Sequence, residues 1–370
     1  MPVPFFSAVA VEQAVSPHEA YDAVREGFVA HARGEWSMQP KLYVTNYPAG
    51  DFRAMPALGG GHALLKWVTS FPGNPARGLP TVTGLVLLSS AETGQLEAVL
   101  DAAAVTALRT AAAGVLAADT LCRAGAATYA VVGCGVNGAE TIRMLAARGV
   151  APLVWDVDAD RRAAVADRFG AHVAPSVEDA LAADVVITVT PGASVLYPPG
   201  SLGIGQHVSL MGADGPGKAE VSVEELGRAR LFCDDWEQAS HGGELAAGVA
   251  AGVVARDRVT ELGRVLAGTA DGRTSAEDVT LFDSTGLAIQ DLAIAKAALA
   301  KAQTLDLPTV EVEARELILW AIEKFRDGAD FGDMLHLLAG RGGEVFVTFD
   351  KGVAKAASMD SPMPIVTLSS

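Results

Sequence analysis

The sequence predicts an α/β protein of two domains, one a doubly wound, mostly parallel sheet and the other a mixed α+β unit lying largely before it. Three observations carry this. A short apolar strand, Thr128 to Val132, runs directly into Gly133-Cys134-Gly135-Val136-Asn137-Gly138 and then into a helix. From there to Phe282, strand and helix patterns alternate, as they do when parallel strands are joined by helical crossovers. Between Lys41 and Leu100 the pattern is instead one of short strand-like runs broken by Pro and Gly, which mark turns.

In chain order, the first clear element is a helix from Ser16 to Arg33. Ser16 can cap it, Pro17 suits the first helical position, and Glu19 completes a capping box. Tyr21, Val24, Phe28 and Val29 form its apolar stripe. Lys41-Leu42-Tyr43-Val44 and Val82 to Leu88 read as strands. A helix follows from Val105 to Ala124, with Val105, Leu108, Ala112, Val115, Leu116 and Leu121 at helical spacing and Gly125 as its stop. After the glycine motif come a helix, Glu140 to Arg148, and a strand, Pro152 to Trp155, ending at Asp156. Further strands are Asp184 to Val189, His207 to Met211, Arg230 to Cys233 and Val279 to Phe282, before a helix from Ala288 to Thr304. His207, inside an apolar strand, reads as a structural histidine.

The chain has 370 residues, 50% of them hydrophobic and 19% charged, so it has the length for two cores of ordinary domain size and the composition to fold. A formal charge of −16 with no run of Lys or Arg argues against a nucleic-acid or anionic-membrane surface, because phosphate binding needs clustered cations. Cys122, Cys134 and Cys233 are odd in number and lack CxxC spacing. Neither a disulfide framework nor a zinc site is expected from them. His241 and Glu244 without a third partner make a poor ligand set, so no metal is expected. Met1 to Val15 has no basic leader, and no uncharged apolar run approaches the ~20 residues of a membrane span. A cytoplasmic location is the expectation.

The glycine motif lies where a dinucleotide-binding fingerprint requires it, between a strand and a helix. Gly133 permits the tight turn, Gly135 lets backbone N–H groups approach a pyrophosphate, and Gly138 allows close packing of helix on sheet. The helix N-terminus adds partial positive charge. Asp156 can accept hydrogen bonds from the adenosine ribose hydroxyls and would repel a 2′-phosphate, which points to NAD; Arg161 and Arg162 nearby pull the other way. A Rossmann domain binding NAD is therefore expected.

Further blocks widen the pattern. They are Lys41, Asp51-Phe52-Arg53-Ala54-Met55-Pro56, Leu65-Lys66-Trp67-Val68, Pro72 to Pro75, Gly78 to Val82 and Thr106 to Ala111, then Gly212 to Lys218, His241 to Glu244 and Phe282 to Asp291. Together they resemble the ornithine cyclodeaminase/mu-crystallin family over about residues 10 to 305. The Lys41, Arg53, Lys66 and Asp214-Gly-Pro-Gly pattern most resembles its archaeal alanine dehydrogenase type. That resemblance implies Lys66 and Asp214 as catalytic residues and Lys41, Arg53 and Met55 as substrate contacts. It implies cofactor contacts at Thr81, Arg109, Thr110, Gly133, Gly135, Val136, Asn137, Gly138, Asp156, Thr190, Ser284 and Thr285. A homodimer is also implied.

Simple chemistry agrees with the implied roles. An α-amino or α-keto acid presents one carboxylate, which Arg53 can meet with a fork of donors and Lys41 with a point charge. Lys66 would polarise the reacting carbonyl or imine, and Asp214 would act as acid and base. The implied reaction is NAD-dependent, reversible oxidative deamination of a small L-amino acid such as L-alanine to pyruvate and ammonia, or reduction of a related imino acid. Ornithine cyclodeaminase remains an alternative, although that branch carries a glutamate at the position of Arg53. A cyclic ketimine or iminosuccinate reductase and a nicotinamide-binding crystallin without turnover are the others.

The expected domains are 1–113 with 286–308 for substrate and dimerisation, 114–285 for NAD, and an extension over 309–370. In the extension, Glu316 to Arg326 and a segment from Asp330 read as helices and Glu344 to Lys351 as a strand. This tail resembles a PIN-domain fragment, with Asp333 and Asp350 matching metal-site acids, but the strand bearing the first acid has no counterpart and nuclease activity is not expected.

Overall fold

The computed structural model describes residues 3–192, 194–213, 215, 217–305, 346–348 and 365–367. Two sheets organise the unit Val3–Thr309. The first contains β1 (Phe5–Phe6), β2 (Ser37–Met38), β3 (Leu42–Asn46), β4 (Gly50–Gly59), β5 (His62–Ser70), β6 (Val82–Ser90) and β7 (Leu96–Asp101). Its order is β1-β7-β6-β5-β4-β2, with β3 also paired to β4. All of its pairings are antiparallel except β1 with β7.

The second sheet contains β8 (Tyr129–Val132), β9 (Leu153–Trp155), β10 (His172–Val173), β11 (Val185–Thr188), β12 (His207–Leu210), β13 (Arg230–Cys233), β14 (Val259–Glu261) and β15 (Thr280–Asp283). Its order is β10-β9-β8-β11-β12-β15-β13-β14, parallel throughout. Chain order reverses between β8 and β11, and a crevice at the carboxyl ends of strands at such a switch point is where α/β sheets bind ligands. The expected combination of a Rossmann sheet with a second mixed unit is what the fold contains.

Helix α1 (Ala8–Ala14) precedes α2 (Pro17–Ala32), which starts with the capping box read from Ser16 and Glu19. Helix α3 (Ala102–Leu121) is capped by Asp101, whose carboxylate accepts from the Ala104 N–H at 2.8 Å. It packs on β6 of the first sheet and on β11 and β12 of the second, so nearly all of it is buried. Among the described residues this helix is long and apolar enough to cross a membrane; its place inside the core accounts for that composition.

Two boundaries differ from expectation. Helix α3 stops at Leu121 instead of running to Ala124, because the Leu121 carbonyl accepts from Arg273 Nε at 2.7 Å and Thr280 Oγ1 at 3.1 Å. Gly125, with φ of 77°, belongs to the following turn. Helix α4 (Val136–Ala147) starts earlier than Glu140, since the glycine loop itself forms its first turn. The helix Ala288–Leu305 packs against α2, α3 and the inner face of the first sheet.

The second unit is Met1–Pro2 with Val310–Ser370. Its described part is a parallel pair, β16 (Phe346–Thr348) with β17 (Ile365–Thr367). The strand expected near Glu344 is present over those three residues. The helices expected from Glu316 and Asp330, together with Asp333 and Asp350, lie outside the described residues.

Candidate active site

Strand alternation builds the site. Met55 faces Lys66 across β4 and β5, and Arg53 faces Val68. Because side chains alternate faces with a period of two, Arg53, Met55, Lys66 and Val68 share the inner face. Phe52, Ala54, Leu65 and Trp67 share the outer one. The inner face turns toward α3 and the Ala288–Leu305 helix, which supply the remaining groups.

Lys66 is 1% exposed, and its Nζ lies 2.9 Å from Oδ1 of the fully buried Asp291. Burial pushes the ammonium down to about 8; Asp291 opposes that shift, while Arg109 and Arg53 add to it. Arg109 from α3 places Nε 3.6 Å from the same Asp291 oxygen and Nη1 3.5 Å from Gln290 Oε1. Its guanidinium rests on Gly286, where a Cβ would come within 2.5 Å of Nη1. On β4, Arg53 donates Nε to Asp51 Oδ1 at 2.6 Å and Nη2 to Oδ2 at 3.3 Å, with its guanidinium 5.4 Å from the Tyr43 ring centre.

Lys41 donates to the Thr285 carbonyl. That segment is shaped by the buried Asp234, which accepts from the Gly286 N–H at 2.7 Å, Thr285 Oγ1 at 3.1 Å and Ser284 Oγ at 3.3 Å. Burial raises the Asp234 carboxyl above its usual range, with the Gly286 N–H and the Lys41 charge working against it. Glu220 and Glu244 play a similar structural part nearby, Glu220 accepting from the Thr188 and Thr190 hydroxyls. The Glu244 carboxylate accepts from the N–H groups of Glu220 and Val221, and burial lifts it to about 7.

These elements border a cavity of about 110 Å³ lined by the first sheet, by α3, by Asn137 of α4 and by the residues just past β12 and β15. Of the expected site residues it collects Lys41, Arg53, Met55, Lys66, Arg109, Thr110, Asn137, Ser284 and Thr285. Four cations, Lys41, Arg53, Lys66 and Arg109, line this cavity; Asp51 pairs with Arg53, Asp291 with Lys66, and the charge of Lys41 acts on Asp234. A larger cavity of about 750 Å³ shares Lys41, Arg53, Ser70 and Thr285 with it and extends to Lys218 and His241. Asp214 lies outside the described residues, although its neighbours Ala213 and Gly215 do not.

The glycine loop has the shape its sequence implies. Gly133 has φ of 102°, and a Cβ there would meet the Val189 carbonyl oxygen at 2.6 Å. Gly135 caps α4 without a side-chain hydrogen bond, and a Cβ on it would enter open space. Val136 beside it is 74% exposed. A helix start with free backbone donors and no side chain in the way fits a dinucleotide pyrophosphate. Asp156, at the end of β9, spends one oxygen on the Cys134 N–H at 2.7 Å and the other on the Asp158 N–H at 2.9 Å. Arg162 lies over the Trp155 ring and donates to the Asp156 carbonyl, and Arg161 Nη1 is 3.7 Å from the Asp156 carboxylate. Thr81 and Thr190 do not line the small cavity; the Thr81 carbonyl accepts from the Phe71 N–H at 2.8 Å, and the Thr190 hydroxyl donates to Glu220.

The sequence profile of the ornithine cyclodeaminase/mu-crystallin family matches residues 4–304. The chain belongs to this family. Among its relatives, an alanine dehydrogenase of Archaeoglobus fulgidus is 44% identical over 296 residues, 77% of this chain and 91% of the relative. An archaeal alanine dehydrogenase dimer with bound NAD superposes with a TM-score of 0.79 at 40% identity, covering 84% of this chain and 98% of that one. The iminosuccinate reductase of Paracoccus denitrificans, solved in complex with NAD+, superposes with a TM-score of 0.76 at 28% identity, covering 83% and 98%.

For this member of the ornithine cyclodeaminase/mu-crystallin family, sequence reasoning overlooked several groups around the site. Asp291, Asp51 and Asp234 each hold one of the expected residues or its segment, and Ser70, Thr106 and Met211 complete the cavity wall. One signal was available for Asp291. It is a carboxylate flanked, apart from Gln290, by the apolar residues Leu287, Ala288, Ile289, Leu292, Ala293 and Ile294, and a buried acid requires a partner.

Proposed function

We propose that this family member is an NAD-dependent oxidoreductase that interconverts a small L-amino acid with its keto or imino acid, with L-alanine and pyruvate, or a close imino acid, as the substrate pair. One observation carries the reading: Lys41, Arg53, Lys66 and Arg109 converge on a cavity of about 110 Å³ that Asn137, from the first turn of the glycine-loop helix, also lines. That volume corresponds to roughly four waters, the scale of a three-carbon acid. The guanidinium and ammonium donors that line it suit a carboxylate.

In this reading Arg53, oriented by Asp51, and Lys41 hold the substrate carboxylate. Lys66 donates toward the carbonyl or imine and stabilises the negative charge that develops there. Asp214 exchanges protons with the intermediates between keto acid and imine. Gly133, Gly135, Val136, Asn137 and Gly138 cradle the pyrophosphate. Asp156 takes the adenosine ribose, and Arg109, Thr110, Thr81, Thr190, Ser284 and Thr285 complete the cofactor contacts. A bound nicotinamide supplies or accepts the hydride. NAD is favoured over its phosphorylated form by Asp156, and the two NAD-bound relatives support that choice.

The adjoining cavity of about 750 Å³ favours a second reading, in which the substrate carries a longer or second acidic group. Residues 1–113 with 286–308 then form the substrate and dimerisation domain and 114–285 the cofactor domain. For the extension 309–370 the PIN-like reading rests on sequence resemblance alone, and we propose no nuclease chemistry for it. We place the enzyme in the cytoplasm as a homodimer, in keeping with its three free cysteines and the dimeric archaeal relative.

The experiment is NADH oxidation with ammonia and a panel of pyruvate, oxaloacetate, glyoxylate and cyclic imines, alongside ornithine conversion followed at constant NADH. Stoichiometric NADH loss supports the reading and selects the substrate. Proline formed from ornithine without net NADH change overturns it in favour of a cyclodeaminase. Tight NADH binding without turnover on any substrate makes the protein a binding member of its family.

A further inference from the structure

Lys66 forms part of the cavity wall, whereas Asp291 stands behind it. An ammonium removed from water is destabilised relative to the neutral amine. Arg109 from α3 and Arg53 from β4 reinforce that tendency, and β6 offers only Val86 opposite Lys66. A neutral Lys66 would attract no carboxylate and would polarise a carbonyl weakly. The group acting in the other direction is the carboxylate of Asp291, 2.9 Å from Nζ and itself fully buried on the Ala288–Leu305 helix. Asp51, beside Arg53 on β4, is held by it in two contacts.

Geometry adds a second argument. The two residues are 225 positions apart in sequence, one on a strand and one on a helix, so their pairing fixes where the lysine end lies between the two elements. The same Asp291 oxygen lies 3.6 Å from Arg109 Nε. One carboxylate therefore stands between two cations that both face the cavity, holding them together against their mutual repulsion.

We propose that Asp291 is a positioning residue for the reaction of this site: through Lys66, and secondarily through Arg109, it keeps the substrate-facing cation charged and aimed into the cavity. This rests on the oxidoreductase reading for the identity of the substrate, though not for its test. Asp291 itself touches neither substrate nor cofactor. Its contribution is to hold a proton on Lys66 Nζ at working pH and to fix that atom in place.

The test uses the full chain with Asp291→Asn. Lysines carrying 13C at Cε report the titration of Lys66, whose signal is assigned by its loss in Lys66→Met. The wild-type midpoint is expected near 8, and in Asp291→Asn it should fall by about one pH unit or more, the usual effect of removing an opposite charge at this distance. The alkaline limb of kcat/KM, measured at saturating NADH, should move down with it, and Asp291→Glu should return the limb part-way. An unmoved midpoint overturns the proposal, as does a loss of activity with an unchanged pH profile.

A chain that turns over nothing sinks the oxidoreductase reading and leaves the NMR titration to decide this one. Should Asp291→Asn fail to fold, the double variant Lys66→Met/Asp291→Asn decides instead. Removing both members of a buried pair relieves the unpaired charge that removing one leaves behind. Recovery of Tm toward wild type supports the pairing, and a double variant as unstable as the single one overturns it.

Discussion

Gly138 approaches the Gly133 carbonyl so closely that a Cβ built on it would lie 1.8 Å from that oxygen. This contact seats the first turn of α4 on the end of β8. Gly138→Ala should force the loop and helix apart at a cost of about 1–3 kcal/mol, the range for overpacking, and should lower both Tm and NADH affinity. Gly135→Ala, whose Cβ would meet nothing within 4 Å, should keep the wild-type Tm and lose NADH affinity alone, because the added methyl occupies the approach of the pyrophosphate. Thermal melts and NADH fluorescence titrations separate the two variants. Unimpaired NADH binding by Gly135→Ala would remove the loop from the cofactor site.

How far the site was legible in the sequence follows from the range of each interaction. The glycine loop could be read because its constraints are local: a turn at Gly133 and a close contact at Gly138 lie five residues apart on one strand, turn and helix. Arg53, Met55 and Lys66 could be placed by resemblance, and their common face follows from strand alternation once the register of β4 with β5 is known. Asp291 and Asp234 were not legible as site residues, since each acts across a contact made only by folding, Asp291 on β5 and Asp234 on the turn after β15. The end of α3 failed for the same reason. Gly125 looked like the stop, but the competitors for the Leu121 carbonyl come from Arg273 and Thr280.

His207 is completely buried between two hydroxyls, with Nδ1 2.9 Å from Thr280 Oγ1 and Nε2 3.0 Å from Ser209 Oγ. Burial, aided by Arg273, depresses it to about 3 from an ordinary 6.5. The folded state thus keeps His207 neutral while the unfolded chain protonates below 6.5, so this residue's contribution to stability is whole above that pH and is lost as pH falls from 6.5 toward 3. The slope from one group approaches about 1.4 kcal/mol per pH unit. Urea unfolding of wild type and His207→Gln at pH 7.5, 5.5 and 4.5 should show the difference in stability between them shrinking or reversing as pH falls. A constant difference would mean that His207 does not titrate in this way.

Arg53 holds Asp51 through two nitrogens and lies near the Tyr43 ring. A lysine at this position keeps the charge and loses the planar fork. Arg53→Lys should therefore raise the KM for the keto or imino acid by about ten-fold or more, the equivalent of about 1.4 kcal/mol, with NADH affinity unchanged. Arg53→Ala should do worse, because it also leaves the buried Asp51 without its ion pair. Steady-state kinetics at saturating NADH test this, and an unchanged KM in Arg53→Lys would take the substrate carboxylate away from Arg53.

The outer face of the first sheet supports the prediction about assembly. Leu58, Leu65, Trp67 and Leu85 are 50%, 39%, 43% and 43% exposed. Register puts Trp67 directly between Ala54 and Leu85, and Phe52 stacks on it at 5.8 Å. An apolar sheet face this continuous is the kind of surface that oligomers bury, and Lys66 on the same strand points the other way. In solution, wild type should sediment at twice the chain mass. The Trp67→Glu/Leu85→Glu variant should sediment as a monomer, since a second copy brings the same charges to the same place across a two-fold interface. A wild-type monomer, or a double variant that still dimerises, would move the interface elsewhere. If the variant is monomeric and retains NADH affinity while substrate KM rises, then pairing of the outer faces also stiffens the strands that hold Arg53 and Lys66 on the inner one.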